Sequence, residues 1–328
     1  MSRLHLSFAA TRCDRFAALR DERVRPEGIE LTMLSMPVEE VFFRQLGHAE
    51  FDVSEMSLSS YTLGRDGGDD RFVALPVYPS RYFRHQNIYV RTGSGITRPE
   101  QLDGRRVGVP EYQMTAPVWQ RGILGEHHGV DLDSITWVTG GAESPGRTEK
   151  IALDLPDRVQ LETAPPDRSL TDLLATGELD GLITAHSPGA LADGLVEPLF
   201  PGHRDVEVAY FRATGIFPIM HVLVVRREIL ERNPWVATSL VDACLASRDA
   251  AMDDLRYRSA LLVALPWLAA ELDRTVALLG ENYWSYGVEA NRHVLETFLR
   301  YSSEQGLVSG RLTVEDLFDM STEARYSI

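Results

Sequence analysis

Residues 215–230 read GIFPIMHVLVVRREIL, a β-branched strand that appears after an earlier run of strands and helices has already closed. That late strand is the strongest constraint on the fold. The first third alternates strands (LHLSFAA, IELTMLSM, FDVSEMSL) with helices (DRFAALRDER, PVEEVFFRQLGH, SSYTLGRDGG), then adds FVALPVYP and NIYVR. Alternation of this kind specifies a parallel, doubly wound sheet. After the polar connection TGSGITRPEQLDG a second unit follows: RRVGVPEY, the helix TAPVWQRGILGEHHG, SITWVTGG, the helix SLTDLLATGELDG and the buried strand LITA. Residues 142–169, rich in Pro, Asp and Arg, read as a long surface excursion. Beyond the late strand the chain reads as helical: Asn233 caps, Pro234 takes the first turn, and Val236, Leu240 and Cys244 recur at spacing four. The expectation is an α/β chain of two lobes that crosses out and back. Lobe 1 would be residues 1–93 with 222–328, lobe 2 residues 94–221, with a cleft between them.

Composition narrows the function. The 328 residues carry a net charge of -15, with 44% apolar and 25% charged residues. So acidic a chain is ill suited to sequence-independent binding of nucleic acid or anionic membranes. No run of about 18 apolar residues occurs. MSRLHLSFAATRCDR enters a strand without a separate apolar leader, which points to the cytoplasm. Cys13 and Cys244 are too far apart for a metal or redox motif. HExxH, CxxC, GxSxG and phosphate-cradling glycine loops are all missing. The expectation is no cofactor, with a divalent metal and a homo-oligomer left open.

Local cations stand out against the acidic background. YPSRYFRHQNIYVR (78–91) gathers Arg81, Arg84 and His85, and Lys150 is the only lysine among 33 basic residues.

Two stretches resemble the type II periplasmic binding proteins: ITRPEQLDGRRVGVPEY, at the entry to their second lobe, and LLATGELDGLITA, a helix-to-strand turn. A longer set resembles one branch of that superfamily, the 4,5-dihydroxyphthalate decarboxylase-like proteins: LPVYPSRYFRHQNIYVR, GVPEYQMTAPVWQRGIL, TGIFPIMHVLVVRREILERNPWVA, LPWL and YWSYGVEANRHVLETFLRYSSEQGL. The resemblance spans residues 3 to about 320. It implies a two-lobed type II periplasmic binding protein-like fold with a ligand cleft between the lobes. Most proteins of this architecture are solute receptors, and the same fold also serves enzymes such as a chorismate dehydratase.

In the implied fold each candidate has a functional and a plainer reading. Arg81 and Arg84 either fork onto a carboxylate or are ordinary surface arginines, and His85 beside them is a candidate proton donor. His221, inside an apolar run, is either a second donor or a hydrogen-bonded structural histidine. His186 follows a buried strand, at the end where open α/β sheets bind ligands, or simply packs its loop. Arg12, Ser57 and Ser59, like Thr11, lie at strand-to-helix junctions suited to anions, where capping is the ordinary task of Ser and Thr. Glu55 there pairs with a cation or with a ligand hydroxyl. Tyr112, Gln113 and Thr115 occupy the matching junction of lobe 2. Arg147 and Lys150 lie close together in the excursion, where the branch usually carries an arginine and a lysine. His127-His128 reads as a solvated helix end.

The activity implied by the resemblance is cofactor-independent decarboxylation of a hydroxylated aromatic dicarboxylate. It requires cations for the dianion, a base or hydrogen bond at the phenol, and an acid above the ring carbon. The alternatives are a non-catalytic receptor or sensor of aromatic acids, and a different enzyme, such as a dehydratase, on a related carboxylate.

Overall fold

The computed structural model describes residues 3–318. In chain order the elements are β1 (Leu4–Ala10), α1 (Ala17–Arg20), β2 (Ile29–Ser35), α2 (Val38–His48), β3 (Val53–Ser57), α3 (Leu58–Asp66), β4 (Phe72–Arg81) and β5 (Ile88–Arg91). There follow β6 (Arg106–Val109), α4 (Thr115–His128), β7 (Thr136–Thr139), β8 (Gln160–Thr163), α5 (Leu170–Thr176), β9 (Gly181–Ile183), β10 (Val196–Pro198) and α6 (His203–Thr214). The chain then forms β11 (Ile219–Arg226), α7 (Arg227–Arg232), α8 (Trp235–Arg256), α9 (Leu268–Leu279) and α10 (Arg292–Glu304).

The strands build two sheets, β2-β1-β3-β11-β4 and β10-β5-β9-β6-β7-β8. Each has a parallel part: β1 runs beside β2 from Leu4↔Ile29 to Ala10↔Ser35, and β6 is parallel to β7 and β9. Strand β11 enters antiparallel between β3 and β4. Its place inside the sheet accounts for its apolar run, because an interior strand is covered on both faces. The sheets are therefore mixed, since the chain returns to the first sheet from the opposite end.

Two boundaries differ from the sequence reading. NIYVR, assigned to lobe 1, is β5 and pairs with β9 and β10 of the second sheet, while the returning strand begins at Ile219. The excursion also contains β8, an edge strand parallel to β7.

The outgoing and returning crossings lie side by side, with Tyr82 N donating to Pro218 O (3.1 Å). Helix α4 follows β6 of the second sheet, yet its Val118, Trp119 and Ile123 pack in the hydrophobic core of the first. Trp119 Nε1 donates to Ile219 O at 2.9 Å. On α4, Gly122 lies flat against Tyr301 of α10, and a Cβ there would fall 2.1 Å from the ring. Any side chain at 122 would push these helices apart. No helix among the described residues is long and apolar enough to cross a membrane.

Candidate active site

The ends of β1, β3 and β11 meet the loops after β6, β7 and β9 in a seam between the two sheets. On the first-sheet side, His221 and Glu55 come from adjacent antiparallel strands in the register His221↔Ser57 and Leu223↔Glu55. Residues paired or two apart in such a ladder share a face, which brings the two side chains together diagonally. The pairing of β11 with β4 shifts register on both sides of His221, an irregularity of the kind that re-aims a side chain.

His221 Nδ1 lies 2.5 Å from Glu55 Oε1, and Thr11 N donates to Glu55 Oε2 at 2.8 Å. Burial alone would raise the Glu55 carboxyl, but its contacts with His221 and Thr11 outweigh burial and hold it low. A carboxylate on Nδ1 fixes the orientation of the ring. The ring meets Phe42 of α2 edge-on, with centroids 5.0 Å apart.

The next residue on α2, Phe43, stacks on the second half of the site: Lys150 Nζ sits 4.9 Å from the Phe43 ring centroid. Lys150 Nζ also pairs with Glu111, a fully buried carboxylate in the loop after β6. Arg147 donates to the same Glu111 oxygen through Nε (2.8 Å) and Nη2 (2.6 Å), and to Glu39 of α2 through Nη1 (2.8 Å). Burial lowers the Lys150 ammonium, against the pull of Glu111. Burial also opposes the charge of Arg147, yet its two carboxylates raise it. Glu39 is held down to about 2 by His186, whose Nε2 lies 3.9 Å away, and by Arg147. Next to Lys150, Glu149 is pushed up to about 7 by burial, with a further contribution from Glu111. Two cations, a shared buried carboxylate and an oriented histidine thus converge on the two phenylalanines of α2.

The seam is fastened below this cluster. Thr115 Oγ1 lies 2.9 Å from Ser57 Oγ and accepts from Ser59 N at 3.0 Å. With its amide turned to donate to Ser60 Oγ (3.1 Å), Gln113 accepts from Lys150 N (3.1 Å) and Ile151 N (3.0 Å). Ser57 also caps α3 through Ser60 N. The buried Oγ atoms of Thr11 and Ser59 have no hydrogen-bond partner. Arg12 is exposed at the end of β1.

A scan against protein-family profiles finds no match. Against curated proteins, the chain is 40% identical over 330 residues to a 4,5-dihydroxyphthalate decarboxylase of Comamonas testosteroni, covering 100% of both chains. The chain belongs to the 4,5-dihydroxyphthalate decarboxylase family. A second member, from Pseudomonas putida, is 44% identical over 194 residues, 59% of this chain and 75% of that one. Among solved structures, the periplasmic aliphatic sulphonate binding protein SsuA of Escherichia coli superposes with a TM-score of 0.54 at 13% identity, covering 97% of this chain and 92% of that one. The alkanesulfonate-binding SsuA of Xanthomonas axonopodis pv. citri bound to MOPS also gives 0.54, at 11% identity over 97% and 99%. These two show a shared two-lobed fold.

For this family member, four expected site residues are placed elsewhere. Arg81 is buried, and its guanidinium donates to Phe217 O (3.1 Å), Ser285 O (2.8 Å) and Asn291 Oδ1. Arg84, also buried, donates to Met220 Sδ (3.1 Å), Asn87 Oδ1 (3.3 Å) and Ala185 O (3.2 Å). Burial lowers both arginines to about 10. They brace the crossings, with those donors already taken. His85 sits in a box of His128, Phe200 and Tyr210, and neither ring nitrogen has a hydrogen-bond partner. Burial, reinforced by His128, His127 and His203, lowers it to about 3, so it is a poor acid at neutral pH. His128, read as solvated, instead packs on Phe200. Tyr112 turns inward, under the Arg121 guanidinium at 3.8 Å and with its hydroxyl donating to Gln305 O (3.3 Å). Glu111, Glu39, Phe42 and Phe43 were missed.

Proposed function

We propose that this protein is a non-oxidative decarboxylase of a hydroxylated aromatic dicarboxylate, of the type that converts 4,5-dihydroxyphthalate to protocatechuate. The observation that carries the reading is the pairing of an oriented His221–Glu55 dyad with the Arg147–Lys150 cluster across α2. The full-length relative of that name supports it. In such a substrate each carboxylate has a hydroxyl para to it. Loss of the phenolic proton to a base pushes an electron pair into the ring as His221 Nε2 delivers a proton to the carbon bearing the departing carboxylate. The C–C bond then breaks, CO2 leaves, and its electron pair restores the aromatic ring as a phenolate, which recovers its proton. The net reaction consumes one proton, and His221 is recharged from solvent. Arg147 and Lys150, with Arg12 at the rim, hold the retained carboxylate. A strong cation on the departing one would oppose its loss. Glu149, beside Lys150, accepts from the amides of Tyr112 and Gln113 and is pushed up to about 7 by burial, which makes it the candidate base or hydrogen-bond partner for the phenol.

On this reading the chemistry needs no cofactor and takes place in the cytoplasm. Likeness to sulphonate-binding proteins favours a second reading, a receptor that binds without turnover, although that likeness concerns fold alone. The test is single-turnover CO2 release from 4,5-dihydroxyphthalate with chelator present, alongside calorimetric binding. Release supports the decarboxylase. Saturable binding with no release from any hydroxylated phthalate would replace it with the receptor, and cell fractionation checks the compartment.

A further inference from the structure

One face of helix α2 touches every part of the candidate site. Phe42 and Phe43 follow Glu39 at spacings of three and four, so the three side chains lie on one side of the helix. Glu39 accepts from Arg147 Nη1 (2.8 Å), the Phe42 ring meets the His221 ring edge-on (5.0 Å), and Lys150 Nζ lies over the Phe43 ring (4.9 Å). A molecule held between the histidine and the two cations therefore lies along this face. The two rings offer it different things. Phe42 is 5% exposed and already engaged by His221, whereas Phe43 is 44% exposed. No other phenylalanine among the described residues is exposed. An apolar ring left open beside two cations forgoes the stabilisation that burial would give it.

We propose that Phe43 is a specificity-determining residue: its ring is the platform on which the ring of the diacid stacks, so that the seam selects an aromatic over a non-aromatic dicarboxylate. This rests on the reading that the diacid binds beside Arg147 and Lys150. Those cations cannot make the selection themselves, because they respond to the carboxylates, and any diacid of equal spacing presents the same ones. Only a group that responds to the ring can discriminate. Tyr112 is turned inward under Arg121, and Phe42 gives its contact to His221, which leaves Phe43 as the aromatic side chain with open surface beside the cations. Two rings gain most in offset or edge-to-face arrangements, which a partly covered ring still permits. The platform is also held in advance: Lys150 fixes Phe43 through a cation–π contact, and Glu111 fixes Lys150.

The test compares two unreactive diacids by calorimetry on the full chain. One is phthalate; the other, cyclohex-1-ene-1,2-dicarboxylate, keeps two carboxylates on adjacent trigonal carbons but has no aromatic ring. The parent should bind phthalate more tightly by roughly 3- to 10-fold, or about 0.7–1.4 kcal/mol, the range of an aromatic pair. In Phe43→Leu, which keeps an apolar side chain, the ratio should fall to about one. Loss of the Lys150 contact weakens both diacids alike and cancels in the ratio. Phe43→Met is the second non-aromatic variant should the leucine variant misfold, and Phe43→Tyr should keep the preference. A parent without preference for phthalate, an unchanged ratio in Phe43→Leu or Phe43→Met, or a lost preference in Phe43→Tyr would each overturn the proposal. The two readings fail separately. CO2 release from 4,5-dihydroxyphthalate with an unchanged ratio in Phe43→Leu removes the platform and keeps the decarboxylase. A ratio that collapses in Phe43→Leu with no CO2 release from the parent keeps the platform, in a receptor.

Discussion

Two pairs of cations, Arg81 with Arg84 and Arg147 with Lys150, are set apart by their partners. Arg81 and Arg84 are surrounded by neutral acceptors: the backbone carbonyls of Phe217, Ser285 and Ala185, the side-chain oxygens of Asn291 and Asn87, and Met220 Sδ. Arg147 and Lys150 are paired with the side-chain carboxylates Glu39 and Glu111. A backbone carbonyl cannot leave without dismantling the crossing, so the first group is committed to structure. A carboxylate on a side chain can give way to the carboxylate of a ligand. On the proposed reading, the nature of the counter-group, more than the density of cations, separates the brace from the anion site.

The largest expected effect concerns the proton. His221→Gln should bind the aromatic diacid but lose roughly 10²–10⁴ in turnover, the range for a missing general acid. His85→Phe should keep turnover and be as stable as the parent or more so, since it replaces a buried ring whose nitrogens make no hydrogen bond and whose nearest carboxylate, Glu207, lies 4.0 Å from Nδ1. Full turnover in His221→Gln would leave the dyad without a role in proton transfer. Next come the cations. Lys150→Met or Arg147→Met should cost about 2–4 kcal/mol, roughly 30- to 1000-fold in kcat/KM, by analogy with other desolvated charge pairs. Arg81→Met should behave in the opposite way. It leaves three acceptors unsatisfied and should lower Tm by roughly 5–15 °C, while the folded fraction keeps its kcat/KM. Calorimetry beside steady-state kinetics distinguishes the two patterns, and a loss of kcat/KM without loss of Tm in Arg81→Met would erase the contrast.

The smallest effect is on pH dependence. Glu207 of α6, beside the outgoing crossing, accepts from Gln86 N (3.4 Å) and is pushed up to about 7 by burial. Between about pH 4.5 and 7 the native state keeps a proton that the unfolded chain has lost. The contribution of this group is therefore complete below about 4.5 and is lost as pH rises through 7. Glu207→Gln should gain on the parent between pH 5 and 8, by roughly 3–6 °C in Tm. An equal Tm difference at both pH values would show that Glu207 titrates normally.

Much of the fold is legible in the sequence because it follows from local periodicity. The returning strand announces itself through IMHVLVVR, and α4 and α10 through their spacing. Strand β8, QLET, is exposed at all four positions and has no apolar signature. Strand β5 was assigned to the wrong sheet because pairing partners are set by the crossing, which the sequence of NIYVR does not record. In the site, Arg147 and Lys150 could be singled out because Lys150 stands alone among arginines. Glu111 falls in RRVGVPEY, which reads as a strand, Glu39 in the helix PVEEVFFRQLGH, and the Glu55–His221 contact joins residues 166 apart. Arg81 and Arg84 misled because a cluster of cations along the chain does not reveal the oxygens that later surround it.

Trp119 ties α4 to the far sheet, and Gly122 lets α10 press down on it. Hinged binding proteins exchange ligands by rotating their halves apart. Here a wide rotation would have to extract an indole from a core, a disruption on the order of 3–5 kcal/mol if truncation of a buried Trp is the guide. Ligand exchange by such a rotation would therefore carry the cost of opening the Trp119 anchor each time.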